Sequence, residues 1–407
     1  MGKRFDVIVV GAALNGLAAG LALGGQNARR PLSVAIIDIK DPRKKNSGDD
    51  DARASAITAS SKRMFEALGM WEHVAPHAQD MREIVVTDGG GHDDRPVLLQ
   101  FGEAATSASM VENRYLLEGL LAAVEKSSNI TLTTGHKIAE QSFSPGLAKL
   151  TLANGEQLSS SLVVAADGGK SAIREAAHIV LVGWSYEQMG IVASFDHELP
   201  HNGRAEEHFT PAGPFAILPL PGNRSSIVWT KGTVEAKRLL GLPRSDFEIA
   251  LQNEIGTHLG KIDLIGSSQG YPLSMFFAKE FHGPRLALVG DAAHVIHPLA
   301  GLGLNLGLRD VAALAECVAD AYALGQDIGG LAVLERYSTW RRFDTVATAA
   351  SMDGFNRLFS NSNPLLKIIR DLGLRATNQL SGLKQIFAQE AAGQTGSLPR
   401  LLRGETV

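Results

Sequence analysis

The chain has 407 residues, 44% of them apolar and 20% charged, with a net charge of -4 and a single cysteine. That composition is ordinary for a soluble globular protein of roughly two or three domains; it argues against nucleic acid as the main partner. The lone Cys317 excludes internal disulfides and cysteine-based metal clusters, and it is expected at a buried helix position.

No apolar run reaches bilayer-spanning length, and the first strand begins by Phe5, leaving no room for a signal or transit peptide. The chain is therefore expected on the cytoplasmic side. Val7 to Val10 form a continuous apolar run, as a parallel strand buried on both faces requires, and Gly11-Ala12-Ala13-Leu14-Asn15-Gly16 follows directly. The Ala- and Leu-rich stretch to about Gly25 reads as a helix. This is the strand-turn-helix context of a dinucleotide fingerprint, with Ala13 where the second glycine normally lets a pyrophosphate approach the backbone. A second strand, Ser33 to Ile37, ends at Asp38, at about the distance expected for an acid that bonds adenosine ribose hydroxyls.

Lys40 to Asp51 is polar and rich in breakers, as a loop is. Ile84 to Phe101 alternates around Gly89-Gly90-Gly91 and reads as a hairpin; no helix follows, so it is not a second nucleotide loop. Val111 to Leu120 returns to a helix. Hairpin signals at Thr131 to Thr133 and Ala148 to Leu152, with Asn154-Gly155 as a turn, precede an apolar strand Leu162 to Ala166. Asp167-Gly168-Gly169-Lys170-Ser171-Ala172-Ile173-Arg174 follows, with Asp167 closing the strand and Ser171 and Arg174 one turn apart on a helix.

From Gly190 to Leu273 short strand-like runs alternate with Pro, Gly and Asn: Ile191 to Phe195, Glu206 to Thr210, Phe215 to Leu218 and Ser226 to Thr230, with one helical stretch near Ser245 to Leu259. Phe215, Leu218 and Trp229 either line a pocket or fill the core.

The stretch Leu288 to Asp310 carries the densest signal. An apolar strand from Arg285 to Val289 turns at Gly290, presents a carboxylate at Asp291, crosses Pro298 and enters a helix through Gly301-Leu302-Gly303-Leu304-Asn305. A carboxylate there can accept hydrogen bonds from sugar or ribityl hydroxyls. The glycines admit a flat ligand, and the first N–H groups of the helix favour negative charge on it. His294 and His297 do not make a metal site, because a third ligand is missing nearby and Pro298 interrupts a helix through both. Val311 to Leu324 and Leu331 to Phe343 continue as helices. The tail from Ser351 places Phe355, Leu358, Phe359, Leu365, Leu366, Ile368, Ile369 and Leu372 among Arg357, Lys367, Arg370 and Arg375. Such a face packs on the core, joins another subunit or rests on a membrane. The end, Ala391 to Val407, is expected to be loosely held.

Gly290-Asp291-Ala292-Ala293-His294 with Pro298, Gly301, Gly303 and Asn305 resembles the second flavin motif of the FAD-dependent aromatic hydroxylases. Asp167 to Arg174 is similar to their Asp-Gly-x-x-Ser-x-x-Arg motif, which in the family touches both the FAD pyrophosphate and the pyridine nucleotide. The fuller run His297 to Asp310 is similar to the branch acting on prenylated phenols in ubiquinone biosynthesis, with Leu302 departing from the usual Gln. The resemblance spans Val7 to Arg309.

It implies an α/β architecture of the p-hydroxybenzoate hydroxylase-like fold: a Rossmann-like FAD-binding domain (1–80, 104–178 and 275–345), an inserted antiparallel-sheet substrate domain (81–103 and 179–274) and a helical C-terminal region (346–407). It implies FAD as cofactor and NADPH or NADH as reductant, docking transiently on the flavin domain. Dioxygen would supply one atom to an electron-rich ring carbon. Gly11, Ala13, Gly16, Asp38, Asp167, Arg174, Gly290, Asp291, Gly303 and Leu304 would bind the cofactor. Arg53, in an Asp-x-Arg segment, would face it or be a solvent-facing arginine, and Asn113 would reach it or cap a helix. Pro298, Gly301 and Asn305 would shape the flavin pocket and stabilise the reduced ring; no side chain stands out as acid or base.

The expected substrate is a hydrophobic polyprenylated phenol, favoured because Arg204 and Arg224 sit in exposed, turn-like stretches. A small soluble aromatic acid and a non-catalytic flavin-binding scaffold are the alternatives; an NAD-dependent dehydrogenase leaves the Asp-Gly and Gly-Asp motifs unexplained. Peripheral contact with the inner membrane, contact with other quinone-pathway enzymes and a homo-oligomer are all open to such a chain.

Overall fold

The computed structural model describes residues 2–44, 53–88, 97–102, 108–296, 303–359 and 397–407, with 88 and 347–359 by backbone alone. The first half contains β1 (Lys3–Val10), α1 (Leu14–Gly24), β2 (Val34–Asp38), β3 (Ala54–Thr58), α2 (Ala59–Ala67), α3 (Trp71–Val74), β4 (Ala78–Asp80), β5 (Glu83–Asp88), β6 (Val97–Phe101), β7 (Ala108–Glu112), α4 (Asn113–Glu125), β8 (Ile130–Thr134), β9 (Ile138–Ser144), β10 (Leu147–Leu152), β11 (Gln157–Ala165) and α5 (Ala172–Ala176). The second half adds β12 (Leu181–His197), β13 (Arg204–Thr210), β14 (Gly213–Leu220), β15 (Arg224–Gly232), α6 (Thr233–Leu240), α7 (Arg244–Ile255), β16 (Ile262–Ala278), β17 (His282–Gly283), β18 (Leu286–Leu288), β19 (His294–Val295), α8 (Gly303–Ala323) and α9 (Leu331–Phe359).

One sheet runs β17-β18-β11-β1-β2-β8, with β10 beside β11 and β9 beside β10. Its centre is parallel: β18 on β11, β11 on β1, β1 on β2 and β2 on β8. Val7, Ile8, Val9, Val34, Ala35, Ile36, Ile37 and Leu162 to Ala165 have no exposed surface. Burial on both faces explains why these strands read as unbroken apolar runs. The chain leaves β1 toward β2 on one side, while β11 and β18 lie on the other. The turns after β1 and β11 therefore flank the point where the strand order reverses, which is where open parallel sheets place ligands.

The second sheet runs β19-β16-β12-β15-β14-β13-β5-β6 and is antiparallel except where β13 meets β5. Strand alternation divides it into two faces. Phe195, Phe215, Ile217 and Trp229 pack on Leu239, Phe247 and Leu251 of α6 and α7. Ala205, Ala216, Leu218 and Leu220 turn the other way, onto Ala56, Met81 and Met110. All three therefore fill core: Phe215 and Trp229 under the helices, Leu218 in the cluster on the inner face. A small sheet, β3-β7-β4, supplies the surface they meet.

Three expectations need correction. Thr131 to Thr133 is not a hairpin strand, because β8 joins β2 in parallel; Ala148 to Leu152 is one, with β10 pairing β9 and, across the Asn154-Gly155 turn, β11. Asn113 does not cap α4; it is the first helical residue, Glu112 stands at the cap, and the Asn113 side chain accepts a hydrogen bond from Ser55 at 2.7 Å. The last residues are docked rather than loose. Leu401, Leu402 and Val407 are buried, the backbone N–H of Arg400 donates to Glu316 at 2.7 Å, and Arg63 donates to the carbonyl of Leu402 at 3.0 Å. An apolar pair flanked by charge-assisted bonds ties down a terminus that composition alone would leave free. The apolar run Phe355 to Leu372 lies outside the described side chains. No helix among the described residues is long and apolar enough to cross a membrane.

Candidate flavin site

Four turns meet along the C-terminal edge of the parallel sheet, after β18, β11, β1 and β2. Neighbouring strands are about 4.8 Å apart, so these turns span roughly 14 Å, a length suited to the extended part of a dinucleotide. Gly11 has φ +110°, and a Cβ there would meet the carbonyl oxygen of Ala166 at 2.3 Å; one on Gly16 would meet the carbonyl oxygen of Gly11 at 1.8 Å. Both glycines are demanded by the turn itself. Ala13 is different: it precedes α1 in extended conformation, its side chain is exposed, and no side-chain cap occupies the N–H groups behind it. Exposed as it is, its methyl leaves the helix N-terminus open to an anion. Asp38 accepts from the N–H of Ala12 at 2.6 Å and of Lys40 at 2.8 Å, so the acid at the end of β2 also braces the glycine turn.

The two later motifs are bolted together. Arg174 is buried, and its guanidinium donates to the carbonyl of Gly169 and to that of Ala292, each at 2.9 Å. A Cβ on Gly169 would lie 2.8 Å from the Val295 side chain, so the loops touch with no room for a larger residue. Arg174 thus spends its charge on carbonyls, and burial lowers its pKa, opposed by Asp167 and Glu175. Asp167 accepts from the N–H of Ile173 at 3.3 Å, and burial raises its pKa.

Gly290 sits at φ +59°, and a Cβ on it or on Gly307 would meet the Asn15 amide at 2.3 Å. Asn15, on α1, is therefore clasped between the Gly-Asp turn and α8, with its Oδ1 buried and unpartnered among the described residues. Asp291 is solvent-accessible yet crowded by protein. Burial raises its pKa, opposed by the nearby charges of His294 and Arg53. Arg53 also lies 5.4 Å above the ring of Tyr271, touching the second sheet. Asn305 donates to the carbonyl of Ala56 at 2.6 Å and accepts from the Thr58 N–H at 3.1 Å and its hydroxyl at 3.2 Å, tying the start of α8 to β3. Gly303 and Leu304 open that helix, part-exposed. His297, Pro298, Gly301 and Leu302 lie outside the described residues.

Beneath the Gly-Asp turn lies a buried ionic chain that the motif does not announce. Asp310 accepts from the Gly290 N–H at 3.0 Å, His294 at 2.6 Å and Arg341 at 2.8 Å. Arg341 continues to Asp344, which Arg309 meets at 2.8 Å. Burial pushes the Asp310 carboxyl upward, but His294 and Arg341 hold it below the ordinary range. An acid among Leu306, Leu308 and Val311 on an apolar helix is the signal that could have found it; Asn15, polar within an Ala-Leu helix, is another.

A glycine turn before an uncapped helix, an acid at the end of the next strand, and two aspartate loops on the same edge define an FAD-binding protein of the flavin monooxygenase class. The chain belongs to the family described as FAD binding domain, which matches residues 4–350. It is 38% identical to the ubiquinone hydroxylase UbiL of Rhodospirillum rubrum, over 99% of this chain and 93% of that one. It is 31% identical to the 3-demethoxyubiquinol 3-hydroxylase of Escherichia coli, over 95% of this chain and 98% of that one. Among solved structures it resembles p-nitrophenol 4-monooxygenase PnpA from Pseudomonas putida, with a TM-score of 0.78 at 16% identity, covering 97% of this chain and 99% of that one.

Proposed function

We propose that this chain is an FAD-dependent monooxygenase that hydroxylates the ring of a polyprenylated phenol in ubiquinone biosynthesis, with NADPH or NADH as reductant and dioxygen as oxygen source. The observation that carries the reading is the apolar inner face of the second sheet. Ala205, Ala216, Leu218 and Leu220 look onto the strand that Asn305 ties to α8. The cations nearby support it: Arg204 is bound to Glu83 and Arg224 to Asp196, both at the surface, so neither is held ready for a substrate carboxylate.

In this reading Gly11, Ala13, Gly16 and Asp38 hold the adenosine diphosphate portion of FAD. Asp291 accepts from its ribityl hydroxyls, with Asp167, Gly290 and Arg53 around them. When bound, FAD takes electrons from the nicotinamide nucleotide and activates dioxygen. The N–H groups at Gly303 and Leu304 stabilise negative charge that builds near the start of α8. Asn305 and Asn113 position that helix start and the neighbouring strand, Arg174 keeps the two aspartate loops in register, and Pro298 and Gly301 join the pocket by their place in the motif.

The test is mass spectrometry of quinone-pathway lipids in cells lacking the protein, grown in air. A prenylated intermediate short of one hydroxyl is expected, restored by the intact chain and not by Asp291→Ala. An unchanged ubiquinone pool would sink the substrate, and rescue by Asp291→Ala would sink the catalytic role.

A further inference from the structure

Glu207 lies on β13 between Ala205 and Phe209, and its register partners are Ala216 on β14 and Val86 on β5. It therefore shares the inner face. Following the ladder onward, Ala216 stands opposite Val228, Val228 opposite Val192, and Val192 opposite Gln269. The result is a lane of small apolar side chains with a carboxyl at one end. Gln269 at the other end accepts from the Tyr271 hydroxyl at 2.5 Å, beneath Arg53. Four strand spacings of about 4.8 Å make the lane roughly 19 Å long. Ala205, two residues before Glu207, packs in the cluster of Ala56, whose carbonyl receives the Asn305 amide. The carboxyl end of the lane thus lies toward the start of α8.

Glu207 is half-buried and has no hydrogen-bond or ion-pair partner among the described residues. Among the described side chains of the neighbouring strands, the charged groups are engaged elsewhere. On β13 itself, Arg204 binds Glu83 of β5, and Glu206 binds His208 and His258 on the opposite face. Asp80 of β4 accepts from Ser109, and Glu112 of β7 binds Arg114. β14 and β6 carry no titratable residue, and Asp88 ends β5 at the register of Phe209. A carboxyl placed on an apolar lane at a cost in desolvation, with nothing among the described residues to satisfy it, is arranged for a ligand's proton.

We infer that Glu207 is the catalytic base of the hydroxylation, taking the proton of the substrate's phenolic hydroxyl; the inference rests on the phenol reading above. The phenol O–H bond breaks, a Glu207 O–H bond forms, and the electron pair left on oxygen raises the density of the ring carbon that is to be oxygenated. The proton is returned to the product's hydroxyl, so Glu207 ends as it began. Burial pushes its carboxyl up to about 7, where a group both accepts and releases protons at neutral pH.

The experiment is hydroxylation of a prenylated phenol by the FAD-loaded protein, read as product and as oxygen uptake, across roughly pH 5.5 to 9. The wild type is expected to lose kcat/KM below an apparent pKa near that of Glu207. Glu207→Gln should lower kcat/KM about 100-fold and abolish that acid limb, with FAD content and flavin absorption unchanged. Glu207→Asp, which keeps the acid but withdraws it, should retain the limb at a reduced rate, and it decides the question if the amide variant does not hold FAD. A Glu207→Gln profile superimposable on the wild type, or an undiminished Glu207→Asp rate, overturns the base while leaving the phenol reading intact. Reductant consumption by the wild type without phenol-dependent product overturns both.

Discussion

His294 and Asp310 meet at 2.6 Å with essentially no solvent exposure on either side chain, directly below the turn that presents Asp291. Because Arg341 also binds Asp310, that carboxylate is the acceptor and the histidine Nε2–H the donor. The same carboxylate holds the Gly290 N–H, so the position of the Gly-Asp turn depends on a charge located inside α8. Asp310→Asn removes the charge while keeping the shape, and leaves Arg341 with part-exposed Asp344 as its counter-ion among the described residues. A loss of about 3 kcal/mol or more is expected, since breaking one partner of a buried ionic group leaves the others uncompensated. Urea unfolding of the FAD-free protein at pH 7 measures it; a variant within about 0.5 kcal/mol of the wild type refutes the account.

The same network fixes a pH dependence. The folded-state pKa of Asp310 is depressed below its ordinary 3.8, as is that of Asp344. A depressed carboxyl stabilises the fold above its unfolded pKa, and that contribution disappears as pH falls through the folded value. Stability should therefore hold down to about pH 4 and drop steeply below it, and Asp310→Asn should flatten part of that drop. Parallel slopes for the two proteins in acid titrations of unfolding would exclude Asp310 as a source.

Arg174→Lys tests whether the two aspartate loops are held by a fork. One ammonium cannot reproduce two guanidinium bonds aimed at Gly169 and Ala292, and a buried carbonyl left without a donor costs roughly 1–3 kcal/mol. Weaker retention of FAD is expected, about 10-fold or more at that cost. Equilibrium titration of the FAD-free protein with FAD gives the number, and an unchanged dissociation constant would mean the loops hold each other without Arg174.

The glycine turn offers a paired comparison. Gly16→Ala places a methyl 1.8 Å from the Gly11 carbonyl oxygen and should yield protein that neither retains FAD nor melts cooperatively. Ala13→Gly removes an exposed methyl from the start of α1, so stability should fall by no more than about 1 kcal/mol and FAD should bind no less tightly. Weaker FAD binding by Ala13→Gly would show that the methyl has a positive role in the turn.

Much of this was legible because the informative residues are sequence-local. The runs at Val7 and Ser33 announced parallel strands, since burial on both faces leaves no polar alternation, and the glycines and acids that end them fall at fixed offsets. What stayed hidden depends on contacts between distant residues. β16 passes through Gly266, Ser267, Ser268 and Gln269, with no apolar pattern to announce a strand; the pairing with β12 on either side of that irregular stretch carries it through. Asp291 and Arg174 were visible as motif letters, but that Arg174 grips Ala292, 118 residues away, was not. Glu206 and Glu207 read alike in sequence. The pleat sends Glu206 to His208 and His258, which overcome burial and hold its carboxyl well below the ordinary range, and sends Glu207 to an apolar lane.

That difference makes a prediction independent of catalysis. Glu207 has an ordinary pKa of 4.5 and a folded value of about 7, raised by burial. A carboxyl whose pKa is raised on folding favours the native state while protonated; the advantage is complete below the unfolded pKa and is lost as pH rises through the folded one. The wild type therefore loses stability between about pH 4.5 and 7 from this group alone, on the order of 3 kcal/mol at about 1.4 kcal/mol per unit. Glu207→Gln carries no charge at any pH, so it should match the wild type near pH 4 and exceed it near pH 8 by that order. Unfolding of the two FAD-free proteins at both pH values decides it: equal stability at pH 8 would mean the carboxyl is solvated in the native state, while a stabilised amide variant that has lost its rate would display the cost at which the base is kept.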